Sequence, residues 1–418
     1  MNIALQTTAR RRAAAAIVLL FAAAYSLVVG REFLANWLGN RVELKSLKRA
    51  VWLDPGNADY RDHLGRYYDL MVRDPSTAAA YYKEAVQLNP HSARYWFDLA
   101  SAEQVLGDTA SQTSALEHAI EADAMTPDVA WEAANLYLVQ GQDDKALREF
   151  RVVMANDPSL VSSAIQFCWR LEPDVDALLR DIVPHNADAY VAFIALLESK
   201  QVVGGTFKVW DALMETQERF QLSRVYEYLQ FLILHKQVDQ SVRVWEQAAN
   251  RFGLSSYLPS QSNLIVNAKF DLPVLDGGFD WQYQKQRAVT LTLDPSDFHA
   301  GRRSLQIAFD GPGISDAGIY QFIAVQPNTT YDFSSYYKNS EFEGAGGPHF
   351  TIQDMYTKTV YYESDELKDA AFWKAAEGEF TTGPDCKLVV LHLRRLPEGS
   401  PIRGKLWIDD LRLVRKPA

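Results

Sequence analysis

The feature that most constrains the fold is an eight-residue segment that recurs four times, at intervals of 35, 34 and 34 positions. Each copy places small and aliphatic residues at helical spacing and then reaches an Asp or Asn, which Pro follows in three of the four. The copies occupy residues 48–55, 83–90, 117–124 and 151–158. Repetition at this period is typical of stacked helical hairpins, because a single hairpin cannot bury its own apolar face. The sequence therefore predicts an α-solenoid in this part of the chain.

The internal residues of each unit are similar to those of the tetratricopeptide repeat. In the second unit, for example, Trp96, Leu99, Ala100 and Gly107 fall at the spacings that characterise this repeat. The resemblance implies pairs of antiparallel helices, in which small residues permit close approach and proline ends the second helix.

The repeat pattern weakens after residue 158, but Trp210 and Trp245 lie in similar segments that are again 35 positions apart. We therefore expect about six TPR-like helical hairpins between residues 40 and 255, of which the last few are degenerate. Aromatic side chains of this region either pack hairpin against hairpin or line a groove that holds a peptide from a protein partner. These side chains are Tyr67, Tyr81, Trp131, Trp169 and Tyr190.

The N-terminal segment has the composition of a membrane anchor. Three arginines at 10–12 precede an uncharged run at 13–30, which as a helix is about 27 Å long, the low end of a bilayer core. Basic residues favour the cytoplasmic side, so we expect residues 1–12 to be cytoplasmic and the body to lie outside the cytoplasm. In a bacterium, this is the periplasmic side of the inner membrane. The alternative is a signal peptide cleaved near the alanines at 22–24, which would make the protein secreted.

Charge and cysteine content exclude several classes of function. Residues 32–261 carry 21 basic and 32 acidic side chains, and residues 262–418 carry 17 and 21. A body this acidic repels phosphate backbones, so nucleic-acid binding is not expected. Cys168 and Cys386 are 218 positions apart and provide neither a disulfide framework nor a metal-ligand cluster.

The C-terminal third changes from helical to alternating periodicity and holds 13 of the 22 glycines. Residues 256–262 are rich in Ser and Pro, which predicts a linker. Seven strands are expected beyond it, at 288–293, 304–309, 318–325, 330–338, 349–356, 388–396 and 405–414. The predicted fold class is therefore a transmembrane helix, an α-solenoid, and an antiparallel β-sandwich of the jelly-roll type over residues 263–416.

Four motifs in this region resemble the carbohydrate-binding modules of families 4 and 9, which are galactose-binding-like jelly rolls. The motifs lie at 263–281, 300–305, 321–334 and 406–413, in the order that the family has them. The resemblance implies that the sandwich binds a polysaccharide. Residues 338–380 depart from the family pattern.

In this family, a structural calcium ion often joins the first and last strands. Carried over by motif, the Ca²⁺ ligands would be Asp271, one carboxylate of Asp409 or Asp410, and backbone carbonyls near residues 301–302. Oxygen ligands of this kind suit calcium. The alternative is that the two adjacent aspartates end a strand or pair with Arg412.

Strand alternation predicts a polar ligand face on one sheet. The side chains expected to share its solvent side are Tyr336, Gln321, Gln353, His392 and Arg394, with Trp281 and Trp373 at the border. An aromatic ring among amides and a guanidinium suits sugars, whose C–H faces stack on rings while their hydroxyls need polar partners. The alternative is an ordinary solvated sheet face.

Neither a His-Glu-x-x-His nor a Gly-x-Ser-x-Gly motif occurs in the sequence. We therefore expect a non-catalytic adaptor in envelope or exopolysaccharide assembly or export. Its repeats would bind a protein partner and its sandwich a polysaccharide. One alternative is a glycan hydrolase or lyase with its site in residues 338–380, and another is a scaffold whose sandwich binds protein.

Overall fold

The computed structural model describes residues 8–417 and divides into two compact units, which meet in the chain between Leu196 and Leu197. The first unit is built from helices, and the second combines helices with two β-sheets. The predicted order, helices followed by an antiparallel sandwich, is confirmed. Of the expected cytoplasmic segment, residues 1–7 lie outside the described part of the chain.

The helices of the first unit follow one another with short turns. They are α1 (Thr8–Gly39), α2 (Leu44–Leu53), α3 (Ala58–Tyr67), α4 (Pro75–Leu88), α5 (Ala93–Leu106), α6 (Thr109–Ala122), α7 (Pro127–Val139), α8 (Asp143–Asn156), α9 (Val161–Leu171), α10 (Val175–Ala177) and α11 (Ala187–Ser199). A π-helical turn continues α3 at Tyr68–Val72, and another continues α10 at Leu178–Ile182. The last residues of α11 belong to the second unit.

Consecutive helices from α3 onward pair as hairpins, and the sequence supplies their boundaries. Asp74 caps α4 by accepting the backbone N–H of Thr77 at 3.1 Å, and Pro75 occupies the first turn, where no N–H is needed. Gly107 ends α5 with a φ of 77°, a conformation that glycine adopts at little cost. These local signals fix where each helix begins and ends.

Small side chains let the paired helices approach closely. Ala78, Ala85, Ala100 and Ala119 are fully buried, and they lie in α4, α5 and α6. Larger side chains would hold these helices apart, so the alanine spacing seen in the sequence determines the packing.

The C-terminal part of α1 is packed, whereas its apolar run is exposed. Ala35 and Leu38 join Ala50 of α2 and Tyr60 of α3 in one buried cluster. The preceding residues of α1 form a helix long and apolar enough to cross a membrane.

The second unit begins with the end of α11 and three further helices, α12 (Val203–Glu215), α13 (Leu222–Leu234) and α14 (Val238–Arg251). The segment predicted as a linker contains a packed residue, Tyr257, which is buried. The indole N–H of Trp245 donates to the Tyr257 carbonyl at 3.1 Å, and the Tyr257 hydroxyl donates to the Pro273 carbonyl at 2.8 Å. These bonds join α14 to the start of the sandwich.

The sandwich contains two five-stranded antiparallel sheets. The strands are β1 (Gln282–Tyr283), β2 (Val289–Asp294), β3 (Ser304–Gly311), β4 (Asp316–Ala324), β5 (Thr330–Gly344), β6 (Pro348–Asp354), β7 (Val360–Glu363), β8 (Lys374–Thr381), β9 (Leu388–Arg395) and β10 (Ile402–Arg415). Sheet 1 has the order β1-β4-β9-β6-β7, and sheet 2 has the order β2-β3-β10-β5-β8. Their inner faces enclose one apolar core.

All seven predicted strands are present, and β1, β7 and β8 are additional. The inward residues of β8 are Ala376, Gly378 and Phe380, so its alternation is weak in the sequence. Gly378 is required because a Cβ there would lie 2.1 Å from the ring of Tyr362 on β7. The aromatic side chain of one edge strand thus fills the space left by the other.

Candidate functional site

The outer face of sheet 1 brings together several polar and aromatic side chains. The inward residues of β9 are Val389, Leu391 and Leu393. His392 and Arg394 therefore point outward. The strand register places Tyr320 of β4 and Thr351 of β6 on either side of His392.

An aromatic pair lies on β4 at this face. The rings of Tyr320 and Phe322 are 5.5 Å apart at an angle of 71°, and both are half-buried. The Tyr320 hydroxyl donates to Gln282 Oε1 of β1 at 3.2 Å. These rings were not among the predicted site residues, although the alternation with the core positions of Ile319 and Ile323 indicates that they face outward.

His392 is oriented by the carboxylate of Asp316, which was also not among the predicted site residues. Its Nδ1 lies 2.8 Å from Oδ2 of Asp316, and Asp316 Oδ1 accepts the backbone N–H of Gly318 at 2.6 Å. The carboxylate oxygen accepts this bond, so Nδ1 carries its hydrogen, and in the neutral tautomer with hydrogen on Nδ1 the Nε2 atom is an acceptor. His392 Nε2 and Thr351 Oγ1 are buried without a hydrogen-bond partner. Unpaired buried polar atoms are rare and mark places for water or a ligand hydroxyl.

Gln353 and Arg394 lie on the same face as His392, as the sequence predicts. Gln353 of β6 pairs across the strands with Val390, and Arg394 donates to Glu398 at 2.8 Å. Both side chains are partly exposed and retain donors for a ligand.

Tyr336 does not lie with these residues, which corrects the expected arrangement. Its strand, β5, belongs to sheet 2, and Tyr336 faces the opposite side of the sandwich. One face of its ring is covered by His299, whose ring is stacked on it at 3.6 Å with an angle of 11°. The ring centroid of Trp373 lies 5.9 Å from that of the same histidine. The predicted register of β5 is correct, but the assignment of β5 to the sheet of β9 is wrong.

Gln321 and Trp281 are also placed differently from the prediction. Gln321 is fully buried and bonds both backbone groups of Val266, donating to the carbonyl at 2.9 Å and accepting the N–H at 3.1 Å. Trp281 is buried and stacks on Phe270 at 5.2 Å. Both side chains hold the N-terminal segment of the sandwich in place, because they bond or pack inside the core.

Residues 338–380, where the alternative enzyme site was expected, complete β5 and supply β6, β7 and all but the last residue of β8. Two of the carboxylates have local partners. Asp354 accepts the backbone N–H of Tyr356 at 2.7 Å, and Glu366 pairs with Lys368. These contacts stabilise turns of the sandwich.

The residues proposed to bind calcium surround a loop between β2 and β3. Asp409 Oδ2 accepts the backbone N–H groups of His299 and Ala300, both at 2.8 Å, and Asp271 Oδ1 accepts that of Arg302 at 2.7 Å. Burial raises the pKa of Asp409. The carboxylates therefore bind amide donors, and within residues 8–417 no three acidic, His or Cys side chains cluster as metal ligands.

The guanidinium of Arg303 is hydrogen-bonded to the backbone carbonyl groups beside this loop. Arg303 donates from Nε to the Phe270 carbonyl and from Nη2 to the Asp271 carbonyl, the latter at 2.9 Å. Asp410 lies 3.5 Å from His299 and 3.8 Å from Lys269, so it too faces basic groups. This donor-rich surrounding does not fit a calcium ion, which needs several oxygen atoms directed at one point.

Comparisons with known proteins find one family model and several solved structures that are similar to parts of this chain. A family model described as a carbohydrate binding domain matches residues 262–395, less than half of the chain. A solved structure described as "CBM4 structure and function" is 18% identical, covers 36% of this chain and 99% of its own, and has a TM-score of 0.29. The CBM22-1 xylan-binding domain of Paenibacillus barcinonensis Xyn10C is 16% identical over 36% of this chain and 93% of its own, with a TM-score of 0.26.

A solved structure of MamA is 20% identical, covers 41% of this chain and 84% of its own, and has a TM-score of 0.26. No curated protein matches the sequence. The family model places the similarity to a carbohydrate binding domain within the C-terminal sandwich.

Proposed function

We propose that the protein is a membrane-anchored adaptor that binds a polysaccharide through the outer face of sheet 1 and a protein partner through its helical hairpins. The observation that carries the polysaccharide role is the aromatic pair of Tyr320 and Phe322 beside His392 and Asp316, within a carbohydrate-binding domain. Envelope or exopolysaccharide assembly or export is the process in which such an adaptor would act.

The chemistry of this face suits a glycan chain. An aromatic ring offers a surface for the C–H faces of sugars, while hydroxyl groups require directed donors and acceptors. Gln353 supplies both kinds of group, Arg394 supplies donors, and His392 Nε2 supplies an acceptor without a present partner. Neutral sugars fit this mixture better than strongly charged ones, because Arg394 is already paired with Glu398.

Membrane anchoring is supported by α1. The helix is 32 residues long, and none of its most apolar 18-residue window is buried. The arginines at 10–12 favour a cytoplasmic N-terminus, so the sandwich would lie on the periplasmic side in a bacterium. There it would meet exported or envelope polysaccharide.

A protein partner is proposed for the helical hairpins because charged side chains of α3 and α5 remain accessible there. Arg66 donates to Asp98 from Nε and Nη2 at 2.8 and 2.6 Å, and Arg94 donates to Asp62 at 2.6 Å. The two arginine side chains are 39% and 47% exposed. Their free donors suit the carboxylate and carbonyl groups of a peptide.

The test is binding of the detergent-solubilised full chain to a glycan array, followed by calorimetry with the glycan that binds. Tyr320→Ala should weaken binding about fivefold, since a lost stacking ring costs on the order of 1 kcal/mol. Tyr336→Ala is the matched control, because this ring lies on sheet 2. Loss of binding in the Tyr336 variant alone would move the site to sheet 2, and no glycan binding at all would contradict the polysaccharide role.

A further inference from the structure

Trp52 of α2 occupies a position where the other repeats carry no aromatic residue. Trp52 is 80% exposed. The corresponding residues of the other three recurring segments are Gln87, Glu121 and Ala155, which are also exposed. A tryptophan exposed to water keeps a large apolar surface hydrated and gains no free energy from packing. The exposure of Trp52 therefore needs an explanation.

The packing of α1 and α2 places Trp52 at the level of the residues that follow the apolar run of α1. The two helices are antiparallel: Gly39 and Leu47 line one cavity near the connecting turn, and Ala50 packs in one cluster with Ala35. Trp52 is two residues beyond Ala50, so it lies about 3 Å further along α2 toward the apolar run, level with Phe33.

This level corresponds to the boundary of a bilayer. Phe33 is three residues past Gly30, the end of the uncharged run, and therefore about 5 Å beyond it along the helix. The headgroup region extends roughly 5–8 Å on each side of the hydrocarbon core. Tryptophan prefers this region because its ring is apolar while its N–H can bond to water and headgroups.

Side chains at the C-terminal end of α1 and in the turn after it have the same character. Phe33 and Trp37 of α1 are 71% and 49% exposed, and the guanidinium of Arg41 lies 3.6 Å above the Trp37 ring. Residues 31–54 carry five basic and three acidic side chains, whereas the helical part as a whole is acidic. Aromatic and basic residues together are typical of a protein surface that lies on phospholipid headgroups.

We propose that Trp52 inserts into the membrane interface, so that the α1–α2 pair binds the outer surface of the bilayer at two points and fixes the first hairpin against it. The proposal rests on the membrane anchor of the proposed function. It adds a second contact, through a helix that does not cross the membrane. This surface contacts the phospholipid headgroup region, and the contact is made by the Trp52 ring.

The experiment uses the full chain in vesicles of phosphatidylethanolamine and phosphatidylglycerol, with an environment-sensitive fluorophore on a single introduced cysteine. Cys168 and Cys386 are buried, and burial raises the pKa of each thiol to about 12, so the native cysteines stay unlabelled. Labels are placed at Trp52→Cys, at the matched repeat position Gln87→Cys, and at Phe21→Cys within the apolar run. Emission maximum and quenching by lipids brominated near the headgroup are measured, because neither depends on which way the protein inserts.

The label at position 52 should emit at a shorter wavelength than the label at position 87 and should be quenched several-fold more by the brominated lipid. The label at position 21 reports whether α1 has entered the bilayer. If position 21 is in lipid but position 52 resembles position 87, the proposal is overturned while the anchor stands. If position 21 is in water, the anchor itself fails, and the Trp52 contact fails with it.

Discussion

Asp316 and His392 lie side by side on the outer face of sheet 1, with Oδ2 of the carboxylate 2.8 Å from Nδ1 of the ring. The other carboxylate oxygen accepts the backbone N–H of Gly318 at 2.6 Å, so the carboxylate cannot rotate freely. The pair therefore fixes both the orientation of the imidazole and the position of its hydrogen. Fixing them in advance lowers the entropic cost of hydrogen bonding to a ligand.

Asp316→Asn should change the hydrogen bonding of His392 without unfolding the sandwich. The Gly318 N–H keeps the Asn oxygen in the place of Oδ1, so the amide NH₂ faces Nδ1 and favours the tautomer with hydrogen on Nε2. Nε2 would then donate instead of accept. We expect glycan affinity to fall about fivefold, for the loss of about 1 kcal/mol, as measured by calorimetry.

The control for this variant is Asp332→Asn, an exposed carboxylate on the outer side of sheet 2. It removes the same charge from the same domain but should leave affinity unchanged. Equal loss in both variants would indicate that net charge, and not the orientation of His392, controls binding.

Arg303→Met should destabilise the sandwich by about 2 kcal/mol, because the carbonyls of Phe270 and Asp271 would lose a charged donor. The melting temperature of the full chain, measured with and without a chelator, tests this together with the metal. Chelator should leave the melting temperature of both the parent chain and the Arg303 variant unchanged. A melting temperature that falls on chelation in the parent chain would restore the calcium site.

Arg302→Met is the matched control for Arg303. Arg302 is exposed, and its contact with Asp271 is made by the backbone N–H, which the substitution keeps. The melting temperature of this variant should stay within about 1 °C of the parent, since an exposed substitution costs little. A similar loss in both variants would mean that removing positive charge, rather than the carbonyl bonds, destabilises the loop.

The strands of the sandwich were predictable where large apolar residues alternate with polar ones. In β9, the alternation of Leu391 and Leu393 with His392 and Arg394 gives the correct inward and outward faces. In β4, the same rule assigns Gln321 to the inner face, but its polarity suggested solvent. The structure resolves the conflict, because Gln321 is buried and satisfied by the backbone of Val266.

The division of strands between the two sheets was not predictable from alternation. Alternation tells which side of its own strand a residue occupies, but not which strands are neighbours. Tyr336 and His392 both face outward, yet they lie on opposite sides of the sandwich. The register of β4 also shifts between Asp316 and Tyr320, and such irregularities leave no periodic signal in the sequence.

The stability of the helical unit should depend on pH through Asp98. Burial and the adjacent carboxylate of Asp62 raise the pKa of Asp98 to about 7, against about 4 in an unfolded chain. Between these values the folded state binds more protons than the unfolded state. The free energy of unfolding should therefore fall as pH rises from about 4 to about 7.

Asp98→Asn should remove this pH dependence, because the amide does not titrate. Denaturant unfolding at several pH values measures the slope, and Asp128→Asn, an exposed carboxylate on α7, is the control that should keep it. An unchanged slope in the Asp98 variant would show that Asp98 does not carry the excess proton of the folded state.

Gly65→Ala should destabilise the first hairpins, although alanine is the better helix former. A Cβ at position 65 of α3 would lie 2.5 Å from the ring of Tyr82, which is 1% exposed and enclosed by its own neighbours. The clash should cost about 1–3 kcal/mol, more than the gain of up to about 1 kcal/mol from helix propensity. Gly204→Ala in α12 is the control, because no atom lies within 4 Å of the added methyl group.

Calorimetry of the full chain should show a lower melting temperature for the Gly65 variant and an unchanged or slightly higher one for the Gly204 variant. Stabilisation by both substitutions would show that α3 and α4 can separate, and that the close approach at Gly65 does not determine their packing.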